Sequence, residues 1–316
     1  MAVKDPTLSN LIVSTEDEVT PKVLNAMADT DDARIHEITT ALVRHVHAFI
    51  REVRPTETEF EQGLDWITRL GQLTNESHNE TVLAADVLGI STLIDLINND
   101  GMQGETMSAL LGPFYRGESP PCDFGQSIAR SDTDGESLLL IGRVLDTNGA
   151  PISGARLDIW QASPVGLYEN QDPEQADFNL RGVQTTGPDG RYLLRSVVPS
   201  GYPVPTFGPA GDLLNAQKRR PFRPAHVHFI VSAPAHKTLI TQIFMDTDEN
   251  MSDDVVFGAK SQICGKLEHH TDHHPDFPDV RTPYATCTYD FVLKPGEPTF
   301  PTPPISGKKD KENTNG

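Results

Sequence analysis

The sequence predicts a mainly-β protein: an antiparallel β-sandwich domain preceded by an N-terminal α-helical domain. Three observations lead there. Apolar residues in the first hundred positions recur at three- and four-residue spacings, the period of one helix face. From about residue 137, short β-rich runs alternate with turn chemistry. Proline density also changes, since of 25 prolines only Pro6, Pro21 and Pro55 precede residue 111. The expected domains are a helical domain over 1–110, a sandwich over 111–294, and a tail over 295–316 that is Pro-rich and then polar.

Residues 33–54 place Ile35, Ile38, Leu42, Val46 and Phe49 on one helical face. Arg54-Pro55 ends that helix, because proline disfavours the α conformation in the residue before it. Thr56 and Glu59 have capping-box spacing and open a second helix carrying Phe60, Leu64, Ile67 and Leu70. A third helix is expected over TVLAADVLGISTLIDLI, stopping at Asn98-Asn99-Asp100-Gly101. Three amphipathic helices are too few to bury both faces of each, which predicts pairing with a second copy of the chain. Beyond them, SLLLIGRVLD, ARLDIWQA, GRYLLRSVV, AHVHFIVSA, LITQIFM and ATCTYDFVL read as strands. TNG, PDG, PSGYPVP and GPAGD separate them. The tail is expected to be disordered or draped over the surface.

Composition narrows the function. In 316 residues, 26 Lys+Arg face 45 Asp+Glu, a net charge of −19. Nothing in that balance neutralises phosphates, so nucleic acid and anionic membrane surfaces are excluded as partners. No apolar run approaches the ~20 residues that span a bilayer. The N-terminus shows no basic stretch followed by an apolar one, so no secretory signal is read and a cytoplasmic protein is expected. Cys122, Cys264 and Cys287 are too few and too scattered for a disulfide framework or a cysteine zinc site.

The sharpest local feature is RPAHVHF, residues 223–229. On a strand, His226 and His228 share a face, which is half of a metal site or simply two hydrogen-bonded histidines. A 2-His-1-carboxylate site would need a donor such as Asp246. Tyr202 lies in the SGYPVP turn and Tyr168 ends ASPVGLY, and phenolate oxygens at such places suit ferric iron. The cluster His269-His270-Thr-Asp-His273-His274 sits in a polar, turn-rich context and reads as a solvated loop.

Residues 108–260 resemble the intradiol ring-cleaving dioxygenases, the catechol and hydroxyquinol 1,2-dioxygenase family. The residues that carry the likeness are LLGPFY (110–115), GRVLDTNGAPISGARLDIWQA (142–162), GLYENQD (166–172), FNLRG (178–182), SGYPVPTFGPAGDLL (200–214), RPAHVHF (223–229) and LITQIF (239–244). The N-terminal helices are similar to the family's dimerisation domain, which implies a homodimer with a lipid-lined tunnel between the helices. The resemblance implies one Fe(3+) per chain, held by Tyr168, Tyr202, His226 and His228. It makes Tyr202 the ligand that leaves and accepts a substrate proton. Arg223 matches the family's active-site arginine, and Gln242 its neighbouring glutamine. Leu110, Gly112, Pro113 and Phe114, the end of the third helix, Leu83 and Asp86 on one face of that helix, and VFGAK (256–260) with Phe257 and Gly258 match the substrate cavity. An acidic residue at Asp86, with the GPF and NLRG spellings, points to hydroxyquinol (benzene-1,2,4-triol) as substrate with O2, and catechol is the runner-up. Two other readings stand beside this one: a non-catalytic β-sandwich binding module, and a ferrous oxygenase using Asp246.

Overall fold

The computed structural model describes residues 5, 7, 11–99, 104–130 and 133–309. The chain divides into two compact units, Met1–Trp66 and Ile67–Gly316. The first holds α1 (Glu16–Ala26), α2 (Ala33–Val53) and the start of α3 (Glu57–Leu73). Asp32 caps α2 by accepting from the N–H groups of Arg34 and Ile35, and Arg54 ends it in the left-handed region. Thr56 N–H donates to Glu59 Oε2 at 2.7 Å and Glu59 N–H to Thr56 Oγ1 at 3.3 Å, so the capping box forms. Ile35, Leu42 and Phe49 remain exposed along α2.

In the second unit the expected third helix is two, α4 (Glu80–Val87) and α5 (Ile90–Asn98). Gly89 lies between them at φ +71°, a conformation that costs glycine little and that interrupts the ladder. The apolar run continues across the break, which is why spacing alone reads one helix. Of the expected stop signal, Asp100 and Gly101 lie outside the described residues.

The strands are β1 (Ser137–Asp146), β2 (Arg156–Gln161), β3 (Arg181–Thr185), β4 (Arg191–Val197) and β5 (Tyr202–Pro203). After α6 (Pro209–Ala216) come β6 (Phe222–Arg223), β7 (His226–Ser232) and β8 (Leu239–Met245). The last four are β9 (Cys264–Gly265), β10 (Leu267–His270), β11 (Tyr284–Thr288) and β12 (Phe291–Leu293). One sheet runs β10-β11-β1-β12 with β4 also on β1, a second runs β3-β2-β7-β8-β9, and β5-β6 is a separate pair. The expectation of a purely antiparallel sandwich is corrected here, because the sheets are mixed. β1 pairs in parallel with β11 and then β12, and β8 with β9. Such pairings join segments remote in sequence and leave no hairpin signature.

Val227, Phe229, Val231, Leu157, Ile159 and Ile243 from the second sheet meet Leu138, Leu140, Leu194 and Phe291 from the first in one apolar core. Alternation then sends His226, His228 and Gln242 to the opposite face of the second sheet. That face is also covered, so all seven residues of β7 are buried. Residues 304–309 drape over the unit: Asn79 Nδ2 donates to Pro304 O, Ser306 and Gly307 N–H to Glu76 O, and Lys309 N–H to Asn170 O. Residues 310–316 of the predicted tail lie outside the described residues. Among the described residues, no helix is long and apolar enough to cross a membrane.

Candidate active site

β2, β7 and β8 set a row across the covered face, with Trp160 opposite His228 and His228 opposite Gln242. Two residues along the register and on the same face, His226 pairs with Phe244. Tyr202 faces Arg223 across the β5-β6 pair, which brings the SGYPVP turn onto this face. Tyr168 arrives on the loop after β2. Its neighbour Glu169 anchors that loop as a buried carboxylate bound by Arg116 and, at 2.6 Å, by Arg181 Nε. Gly166 leaves the space that Tyr202 occupies, since a Cβ there would stand 2.9 Å from Tyr202 Cβ.

Four side-chain donors converge. Tyr168 Oη is 3.2 Å from Tyr202 Oη and 3.5 Å from His226 Nε2, and the Nε2 atoms of His226 and His228 are 3.1 Å apart. All four residues are buried. His226 Nδ1 lies 2.7 Å from Pro224 O and donates to it, which leaves the Nε2 lone pair facing the cluster. Burial, then Arg223, brings the His226 pKa down to about 3, and burial holds His228 well below its usual value, so both imidazoles are neutral. Burial, then the neighbouring Tyr202, pushes the Tyr168 phenol well up, and burial raises Tyr202 as well. Two lone-pair nitrogens and two hard oxygens gathered in a dry site fit a highly charged cation, which offsets the cost of ionising the phenols. Among the described residues no group of three or more His, Cys, Asp or Glu is placed to hold a metal ion, so tyrosine oxygens are needed to complete a donor set here.

Arg223 is buried beside the donors, with Nη1 at 3.2 Å from His226 Nε2. Its Nη2 donates to Gln242 Oε1 at 2.9 Å, and Gln242 Nε2 in turn donates to Leu110 O at 2.7 Å. Asp254 takes Arg223 Nε at 3.1 Å and Nη2 at 3.2 Å. Burial opposes its charge, yet Arg223 holds the Asp254 carboxyl below the usual range.

The expected cavity residues gather around this cluster. Phe114 packs on Tyr168 with ring centroids 4.7 Å apart. Gly112 approaches His228, where a Cβ would lie 3.4 Å from Cε1, and Pro113 is buried beside it. Leu83 and Asp86 are buried on α4, and Leu110 lies against Gly258. Burial lifts the Asp86 carboxyl to about 6, Ser91 and Arg223 work against the rise, and Asp254 adds to it. Phe257 departs from the set, being exposed with its ring against Gly89 and Arg219. A cleft of about 860 Å³ is lined in part by Asp86, Ser91, Leu110 and Gly112.

Asp246 does not join the histidines: it is exposed and accepts from Leu267 N–H. The second histidine cluster is scattered in its contacts, with His269 on Glu136, His270 on Thr286 and His274 against Phe277. Sequence reasoning missed Asp254, Glu169 and Trp160. Glu169 adjoins a ligand candidate and Trp160 lies on a legible strand, but only the register reveals what they touch.

Comparison with known proteins identifies the family. Residues 110–295 match the family model described as "Dioxygenase", and residues 32–106 match "Catechol dioxygenase N terminus". The chain is 42% identical to a hydroxyquinol 1,2-dioxygenase of Rhizobium sp. (strain MTP-10005), over 80% of this chain and 86% of that protein. It is 38% identical to a catechol 1,2-dioxygenase of Candida albicans, over 79% and 83%. The solved structure of hydroxyquinol 1,2-dioxygenase from Pseudomonas putida DLL-E4 superposes with a TM-score of 0.80 at 36% identity, covering 89% of this chain and 99% of that one. With two family matches that together take in α2 to α6 and both large sheets, the chain belongs to the intradiol ring-cleavage dioxygenases, oxidoreductases of the aromatic-ring-opening class.

Proposed function

We propose that this chain is a hydroxyquinol 1,2-dioxygenase, opening benzene-1,2,4-triol between its vicinal hydroxyl-bearing carbons with both atoms of O2. The product is 3-hydroxy-cis,cis-muconate, the enol form of maleylacetate. The observation that carries the reading is the convergence of Tyr168, Tyr202, His226 and His228 beside the buried guanidinium of Arg223. The similarity to hydroxyquinol-cleaving relatives supports the substrate. Those four side chains would hold one ferric ion. When bound, it supplies a Lewis acid that favours the substrate dianion and withdraws electron density from its ring.

The chain's own residues do the rest. Held as a phenolate by that ion, Tyr202 Oη would take one of the two hydroxyl protons the substrate gives up, the second passing to solvent, and the short β5-β6 pair would let its ring move aside while Tyr168, His226 and His228 remain as donors. Arg223 stabilises negative charge that develops on the ring, and as a fixed cation in a dry site it needs no reorganisation. Gln242 holds that guanidinium against the carbonyl of Leu110. Leu83, Leu110, Gly112, Pro113, Phe114 and Gly258 shape the cavity and exclude water. Asp86 accepts a hydrogen bond from the third ring hydroxyl.

The reading extends to the assembly: residues 1–110 form a dimerisation domain that binds lipid between copies, residues 111–294 the catalytic domain, and the protein works in the cytoplasm. The outward apolar face of α2 supports the pairing. Product identification with benzene-1,2,4-triol and with catechol under oxygen tests the function. Faster opening of the triol, by a coloured protein containing one iron per chain, is the expected result. Faster turnover of catechol would transfer the assignment to catechol 1,2-dioxygenase, and a colourless iron-loaded protein would overturn the tyrosinate site.

A further inference from the structure

Of the five N–H groups of Arg223, three are engaged away from the donor cluster. Nε–H and one Nη2–H meet the two oxygens of Asp254, and the other Nη2–H meets Gln242 Oε1. The Nη1 edge is left to face His226 and the site. A two-point grip fixes the plane of a guanidinium, which one contact does not. The same Asp254 carboxylate also accepts from the backbone: Gly258 and Ala259 donate to Oδ2 at 3.0 Å each, and Val256 donates to Oδ1 at 3.4 Å. Those residues flank Phe257 and include Gly258, expected in the cavity wall, and Gly258 lies so close that a Cβ there would stand 3.1 Å from Arg223 Nη2.

We propose that Asp254 is a positioning residue that acts through Arg223, setting which edge of the guanidinium faces the substrate and tying the 256–259 wall to that cation. The proposal rests on the ring-cleaving function argued above. The carboxylate sits on the far side of the guanidinium from the donors, so it orients the charge without competing for metal or substrate. A plain structural salt bridge would stabilise the fold and leave catalysis alone, and the two roles separate experimentally.

The test is a double-mutant cycle on the iron-loaded enzyme with Asp254→Asn and Arg223→Gln, reading kcat, KM and anaerobic substrate binding from the visible absorption. Iron content and the thermal stability of the iron-free protein are measured alongside. Asp254→Asn is expected to keep its iron and colour and to lower kcat by about 10–100-fold, the scale seen when partners that orient site residues are lost. KM should change less than kcat. In the Arg223→Gln background the same change should alter turnover and anaerobic binding less than about twofold, because the group it acts through is gone. Multiplying effects, or a drop in stability with wild-type kcat, would overturn the proposal. Anaerobic binding completes the cycle if Arg223→Gln has no measurable turnover. Should Asp254→Asn fail to fold, Asp254→Glu retains the charge and is expected to fold with an intermediate kcat, and wild-type kcat in that variant would count against the proposal. A wild-type holoenzyme that opens neither triol nor catechol would sink the underlying function instead, and is told apart by needing no variant.

Discussion

The indole of Trp160 lies nearly parallel to the imidazole of His228, with ring centroids 4.6 Å apart and planes 10° apart. The contact follows from their direct pairing across β2 and β7. It makes an aromatic wall that fixes the plane of one candidate ligand. Trp160 Nε1 is buried without a hydrogen-bond partner among the described residues, and the indole meets His228 with its face rather than its N–H. Trp160→Ala should cost about 3–5 kcal/mol of stability and reduce iron occupancy, whereas Trp160→Phe should keep most of both. Denaturant unfolding with iron analysis checks this, and full iron in the alanine variant would show that the stack does not orient His228.

The donor residues and Arg223 should separate by phenotype. His226→Ala or Tyr168→Phe is expected to yield a pale, iron-poor protein, because each removes a converging donor. Arg223→Ala should retain iron and colour while kcat falls about 10²–10³-fold, the loss usual for a fixed electrostatic group. Metal analysis and steady-state turnover on the same preparations give the comparison.

Asp86 predicts a pH-dependent stability. Its carboxyl is raised by burial from 3.8 to about 6, so between those values the folded chain binds more protons than the unfolded one. Stability from this group therefore falls as pH rises through that window, by about 3 kcal/mol in full. Asp86→Asn should be more stable than wild type at about pH 7.5, and the gap should close towards about pH 4. The same variant should lose preference for benzene-1,2,4-triol over catechol. Thermal melts at the two pH values and competition between the substrates read both effects.

Glu80 is fully buried, with Oε2 at 2.6 Å from His78 Nε2 and Oε1 accepting Ala210 N–H at 2.9 Å. It thereby closes the first turn of α6, the next element after β5 with its Tyr202. Glu80→Ala should cost about 3 kcal/mol by stranding two buried donors. Chemical denaturation measures it, and a loss within error of zero would mean that water replaces the carboxylate.

What was legible in the sequence follows from range. The His226-Val-His228 alternation, the capping box at Thr56 and the strands around 137–146 and 226–232 depend on neighbours a few residues away, and local chemistry encodes them. α1, β3 and α6 are short and carry weak periodicity. The break at Gly89 hides inside an apolar run. Asp254 illustrates the limit of such reading: it ends DTDENMSDD, where nothing distinguishes it from Asp253, yet Asp253 is exposed and Asp254 is buried on Arg223. Only the folded register separates the two.

The parallel pairing of β1 with β11 and β12 has a consequence for how the protein is made. Ser137 meets Tyr284 and Val144 meets Phe291, so nearly half the chain must be synthesised before β1 gains those neighbours. The sheet bearing His226, His228 and Gln242 has all its strands by residue 265. A nascent chain thus finishes the ligand-bearing layer before the layer that backs it can close. Mature core packing, and with it a settled backing for His226, His228 and Gln242, belongs to the interval after the ribosome has delivered the last strand.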